Sequence, residues 1–285
     1  MPNSSVRWKL AAVLRPASEP VSWRLPAVLL AVVSACAVSA HAGAAGQEAD
    51  TPVLSERQLA RQLANEREWS RRFLQASRAY ANGQWDEAER LAKRAVAFDR
   101  DQPDGLTLLA AVYAAQGRDE LSGQTYRAAL ALSPRSGGLL NNYGAWLCGQ
   151  GQSAEALVLF DRALQDPAAP LVDVHVNAGI CAQRSGQWAR AEVELRQALD
   201  YLPAHPGALQ AMAQLQLERG NAMAARAFYQ RRLAAAPADP SVLQLAVRVE
   251  EQLGDKAAAE HHKLRLEQVR GTVRDADARL INGDH

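Results

Sequence analysis

From Trp69 onward the apolar positions follow two rhythms. Over short distances Tyr113, Tyr126, Leu147, Phe160, Leu195, Phe228 and Leu233 sit at helical spacing, which assigns them to the buried faces of amphipathic helices. Over longer distances one phrase keeps returning. Asn82-Gly83-Gln84-Trp85-Asp86-Glu87-Ala88 is echoed by Gln116-Gly117-Arg118-Asp119-Glu120-Leu121-Ser122, and again around Gly151, Gly186, Gly220 and Gly254. The interval between successive glycines is constant but for one extra position between Gly151 and Gly186. Seven residues before each stand Ala76, Ala110, Gly144, Gly179, Ala213 and Val247; five residues after stand Ala88, Ser122, Ala156, Ala191, Ala225 and Ala259. Small side chains at two such positions let a pair of helices cross closely. Each glycine supplies the left-handed residue that ends the first helix of a pair. Pro134, Pro203 and Pro237 each lie half a period past their glycines and end the second, with Pro103 and Pro167 serving nearby.

The period is that of tetratricopeptide helix–turn–helix repeats, about 34 residues. The expected fold is an all-α superhelix of six such repeats, with a concave groove and nearest-neighbour interfaces. The repeats are placed at 68–103, 104–136, 137–170, 171–204, 205–238 and 239–270. The single extra residue falls in the Asp166-Pro167-Ala168-Ala169-Pro170 loop, where an insertion is harmless. Leu59 and Leu63, four apart on one face, allow the first helix to start near Ser55. Trp85 and Trp188 follow turn glycines and are expected to pack under the start of the second helix.

The front of the chain reads as a targeting segment. Arg7, Lys9, Arg15 and Arg24, with Glu19 the one acid, precede an apolar stretch from Leu25 to Ala35. That stretch is too short to span a bilayer as a helix, which needs about 20 residues. A basic region followed by a brief apolar one is the pattern of a bacterial secretory signal. Two cleavage sites compete. Val33-Ser34-Ala35-Cys36 resembles a lipobox, which would make Cys36 the acylated first residue of the mature protein. Ala40-His41-Ala42 would instead release a soluble periplasmic protein. The lipobox is preferred because Cys36 sits where the apolar stretch ends. The resulting division is a lipoprotein-type signal at 1–35, a small-residue tether at 36–54, the repeat domain at 55–270 and a C-terminal tail at 271–285.

Charge narrows the partners. With 32 Lys+Arg against 31 Asp+Glu there is no cationic excess for a phosphate backbone, so nucleic acid is not an expected partner. Neither a G-x-S-x-G elbow nor a phosphate loop is present, and adjacent His261 and His262 point to different helix faces. His175 and His205, near helix starts, read as surface residues. The expectation is a protein without enzymatic activity, cofactor or metal. Repeat geometry turns Phe73, Ser77, Tyr80, Thr107 and Asn141 toward the groove, a mixed apolar and amide lining suited to an extended peptide or a partner's helix. The Lys, Asn and Arg set that clamps chaperone carboxylates is missing from the first repeats. Cys148 and Cys181 fall late in the first helices of adjacent repeats, so export would permit a disulfide; two separate buried thiols are the alternative.

The lipobox-like start, the six repeats and Leu139-Leu140-Asn141-Asn142-Tyr143-Gly144-Ala145-Trp146-Leu147-Cys148 together resemble the type IV pilus biogenesis/stability lipoproteins, the PilF/PilW family. Phe160-Asp161-Arg162-Ala163-Leu164 and Asn177-Ala178-Gly179-Ile180-Cys181 continue the likeness, which covers about residues 68–268. The resemblance implies a pilotin: an outer-membrane lipoprotein facing the periplasm that helps the pilus secretin reach the membrane and multimerise. Its implied partners are the secretin, other pilus assembly proteins and, through the lipid, the outer membrane.

Overall fold

The computed structural model describes residues 55–282, with side chains as far as Gly271. The stretch read as a signal, the expected lipidation at Cys36 and the stretch read as a tether all lie outside the described residues. Within them every regular element is a helix. Repeat one is α1 (Glu56–Ala81) with α2 (Trp85–Phe98); repeat two is α3 (Pro103–Ala115) with α4 (Asp119–Leu132). Repeats three and four are α5 (Gly137–Gly149) with α6 (Ser153–Ala163), and α7 (Leu171–Arg184) with α8 (Trp188–Tyr201). Repeats five and six are α9 (Pro206–Glu218) with α10 (Ala222–Ala235), and α11 (Pro240–Leu253) with α12 (Lys256–Asn282).

Local chemistry sets the ends. Ser55 starts α1 with a capping box: its hydroxyl accepts from Gln58 N, while Gln58 Oε1 accepts from Ser55 N at 2.9 Å. Proline opens α3, α9 and α11, where a missing N–H costs nothing. All six periodic glycines adopt φ between 72° and 81°, the left-handed region that a side chain opposes. After each, the next N–H reaches back five residues, as in Arg118 N to Tyr113 O at 2.9 Å and Asn221 N to Gln216 O at 2.8 Å. This Schellman closure satisfies carbonyls that a helix end would otherwise strand.

The small-residue positions meet as expected. Ala76, Ala88, Ala110, Ala156, Ala191, Ala213 and Ala225 are fully buried, and Ser122 Oγ donates to Ala110 O at 2.9 Å. Where the position is glycine the space belongs to a neighbour. A Cβ on Gly144 would sit 2.8 Å from the Phe160 ring, and one on Gly179 would sit 2.7 Å from Leu195 Cγ.

Successive repeats are keyed at their turns. Gln116 donates to Glu89 at 2.9 Å, Gln150 to Asp119 at 2.8 Å, and Arg219 to Glu192, each pairing joining a turn to the preceding repeat's second helix. Glu89 also receives Lys93 and Arg118. Lys93 first, then Gln116 and Arg118, hold its carboxyl down at about 2 against the opposing effect of burial.

Three expectations need correction. Trp85 does pack, its ring edge-on to Tyr80 at 5.3 Å, but Trp188 is 41% exposed, and the repeat position of Tyr80 is held there by Gln183. Phe228 and Leu233 are only partly buried, since Tyr229 takes the innermost place in α10. Helix α12 also runs on through Asn282, well into the stretch read as a tail, because neither proline nor a turn glycine phrase stops it at residue 270.

Candidate functional site

The first helices of neighbouring repeats touch one another along the array, α1 with α3, α3 with α5, and so on to α9 with α11. The second helices instead pack against the first helix of the next repeat. The first helices therefore line the inside of the curve, and the sequence-derived site residues lie on them.

Depth, however, separates those residues. Phe73 is half-buried and stacks on Trp69, ring centroids 5.1 Å apart. Ser77 is half-buried, and its Oγ is enclosed without a hydrogen-bond partner. Tyr80 is buried under Trp85, and that burial pushes its hydroxyl up to about 12. Thr107 is buried and donates its hydroxyl back to Pro103 O at 2.8 Å. Asn141 is buried too, its Oδ1 accepting from Asn177 Nδ2 at 2.9 Å. Tyr80, Thr107 and Asn141 are thus not open groove residues. Helical spacing gives a residue's direction but not its depth: Trp85 packs on Tyr80 within repeat one, Thr107 bonds back to its own helix, and Asn141 is met by the adjacent repeat. Asn141 links α5 to α7 instead of waiting for a partner. The more open inner wall is carried by Gln214 and Arg248, which face each other across repeats five and six at 3.5 Å.

The sequence reading missed Leu74. Its equivalent one repeat later, Leu108, is 2% exposed, because repeat one lies over it; Ala211 and Leu245 are likewise buried. Among the described residues no repeat precedes that of Leu74, which is 54% exposed. Leu59 and Leu63 lie several helical turns earlier on the same side of α1, at 46% and 38% exposure. The repeat period carried part of this signal: the apolar counterparts are buried, Asn142 and Asn177 at the same place in repeats three and four are half-buried and polar, and the leucine of repeat one is uncovered. Arg67 and Arg78 lie one turn beyond Leu63 and Leu74, whereas Glu68 is engaged by Arg71 and Arg72. The open end of repeat one carries three exposed leucines interspersed with charge, Arg67 between Leu63 and Leu74 and Glu56 and Glu66 on the same side.

Cys148 of α5 and Cys181 of α7 are joined in the structure, with Sγ atoms 2.31 Å and Cα atoms 5.7 Å apart. The Cα spacing is that of an ordinary disulfide. His205, read as a surface residue, caps α9 by accepting from Ala208 N at 3.0 Å, and His175 pairs with Glu194 at 2.8 Å. Among the described residues no three His, Cys, Asp or Glu side chains converge as a metal-ligand set. No described helix is long and apolar enough to cross a membrane.

Comparison with known proteins agrees with this geometry. Residues 182–249 match the tetratricopeptide repeat family. The type IV pilus assembly protein PilF of Pseudomonas aeruginosa PAO1 is 26% identical over 188 residues, covering 66% of this chain and 75% of that protein. The crystal structure of PilW, described as a widely conserved type IV pilus biogenesis factor, superposes with a TM-score of 0.64 at 24% identity, covering 72% of this chain and 98% of PilW. The P. aeruginosa PilF structure gives 0.62 at 23% identity, covering 72% and 93%. The fold is a tetratricopeptide superhelix of the same kind.

Proposed function

We propose that this tetratricopeptide-repeat protein, a homologue of PilF, is a non-enzymatic scaffold in type IV pilus biogenesis that assists outer-membrane localisation and multimerisation of the pilus secretin. The observation that carries the reading is the uncovered leucine face of α1. Exposed Leu59, Leu63 and Leu74 on one side of α1, with Arg67 among them, offer a partner helix or strand apolar anchors at the end of a solenoid. It lies at the end of the domain nearest the tether, so a protein held at the membrane by Cys36 would present this face close to the bilayer. Interface energy concentrates in a few apolar anchors, so a charge placed on them should abolish docking.

Because Tyr80 is part of the core, removing Phe73 and Tyr80 would damage the fold along with any surface. Leu63→Asp with Leu74→Asp avoids this, since both side chains are already exposed. The double variant should keep its helicity and melting temperature while heat-resistant secretin multimers and surface pili fall at least several-fold. Normal multimers in the double variant would remove this face from the site. Normal multimers and piliation in a full deletion strain would defeat the pilotin reading itself and favour a periplasmic adaptor for another envelope machine. The anchor is tested separately: Cys36→Ala should release the protein from outer-membrane fractions, and a soluble wild-type protein beginning at Gly43 would overturn lipidation.

A further inference from the structure

Repeat six has a core unlike the others. The place filled by Ala79, Tyr113, Leu147, Ala182 and Gln216 in the earlier repeats holds Glu250, which is 1% exposed. Its carboxylate accepts from Arg226 Nε at 2.9 Å and from Arg226 Nη2, and also from the Tyr229 hydroxyl. The buried Tyr229 ring is met edge-on by His262, with centroids 5.5 Å apart and planes at 89°. His262 is itself buried: Nε2 lies 3.4 Å from the Tyr229 oxygen, and Nδ1 is enclosed with no partner.

The proton positions follow from this network. A phenol has one proton, and Tyr229 has committed it to Glu250. The contact with His262 is therefore a hydrogen bond only if Nε2–H donates to the phenolic oxygen, which leaves Nδ1 bare. A second proton would land on that enclosed Nδ1, where no acceptor waits. The surrounding charges divide: Glu250 favours it, while His261 and Arg265 oppose it. Helix α10 contributes Arg226 and Tyr229, α11 contributes Glu250, and the turn contributes Asp255, which accepts from Arg226 at 3.3 Å. Helix α12 itself adds His261 and Arg265. Both Glu250 oxygens are already occupied by donors.

We propose that His262 makes the docking of α12 against α10 and α11 an acid-sensitive clasp: taking up a proton requires α12 to lift, so mild acid loosens the sixth repeat and leaves repeats three and four closed. Burial first, then His261 and Arg265, hold His262 below its ordinary value, with Glu250 opposing. The released helix thus binds the proton more tightly than the docked one. Docking is then strongest above the ordinary histidine value of about 6.5 and weakens as pH falls below it.

Hydrogen exchange of the purified protein at pH 7.5 and 5.5, corrected for intrinsic rates, tests the clasp. Protection across residues 256–271 should drop about tenfold at the lower pH, the effect of one proton on a group titrating near 6.5 once released. Protection of α5 through α8 should not change. His262→Gln should make α12 indifferent to pH, and His261→Gln should retain the drop. If His262→Gln leaves α12 unprotected even at pH 7.5, imidazole NMR of the wild-type protein decides: titration of His262 clearly below 6.5 supports the clasp, and titration at or above 6.5 overturns it. Equal protection of wild-type α12 at both pH values also overturns it.

Discussion

Repeats three and four and repeats five and six share one backbone plan but close their cores with opposite chemistry. The junction of repeats three and four is apolar and covalent. Leu147, Phe160 and Leu195 are fully enclosed, Gly144 and Gly179 yield their side-chain space to Phe160 and Leu195, and the Cys148–Cys181 bond ties α5 to α7. At the junction of repeats five and six, Tyr229 shares its surroundings with Arg226, Glu250 and His262. A packed apolar interface is indifferent to pH and salt, whereas a buried ionic one depends on every partner being present. Because stability in a repeat array is set by nearest-neighbour interfaces, the two halves can be perturbed separately.

The largest separation should come from breaking the covalent tie. The bond joins positions 33 apart in sequence, and on the chain-entropy model its removal costs about 3–4 kcal/mol. Reduction should therefore lower the denaturation midpoint of repeats three and four while leaving exchange in α12 unchanged. Mass spectrometry of unreduced protein should find both thiols linked. Two free thiols there would remove the covalent half of the contrast.

Next comes overpacking. Gly144→Val places atoms where Phe160 already sits, 2.8 Å from even the first carbon, and the ring is fully enclosed. A loss of about 2–3 kcal/mol is expected in urea unfolding. Gly138→Ala, on the same helix with open space around it, should stabilise slightly or do nothing.

These two changes also mark what was legible in the sequence. The glycine period located all six turns, and its small-residue partners identified the crossings, because both depend only on backbone conformation and on volume at fixed spacing. Sequence spacing also brought Cys148 and Cys181 to adjacent helices. Depth was not legible. Asn141 reads as a polar side chain on the inner wall, and its burial emerges only when Asn177 is seen to donate to it across the repeat boundary. Glu250 and His262 carried even less signal, since a glutamate and a histidine in helices look like surface residues until α12 closes over them. Leu74 shows the converse: no described repeat lies before its own, and a core-type residue is left outside.

A third change probes the ionic junction. Tyr229→Phe deletes one donor to Glu250, and the oxygen that His262 Nε2 meets at 3.4 Å, without opening a cavity. Hydrogen bonds to charged groups contribute about 1.5–3 kcal/mol, so a loss of about 2 kcal/mol is expected, confined to repeats five and six. Hydrogen exchange should show α10 to α12 opening more readily and α5 to α8 unaffected. Uniform loosening of the whole array would mean that the two junctions are one cooperative unit.

The smallest effect sharpens the comparison most, because it places a polar contact in the apolar half. Asn177→Ala removes the amide that donates to Asn141 Oδ1 at 2.9 Å and leaves that buried oxygen unpartnered. Stranding one neutral acceptor costs about 1 kcal/mol, and replacing both residues together, Asn141→Leu with Asn177→Ala, should recover much of it. Neither amide titrates. The cost should therefore be the same at pH 5.5 and 7.5 and at low and high salt, measured as a shift in urea midpoint. The Tyr229→Phe cost should vary with both, because it acts through Glu250, Arg226 and His262. If the two variants respond alike to pH and salt, the chemical contrast between the junctions does not govern their stability.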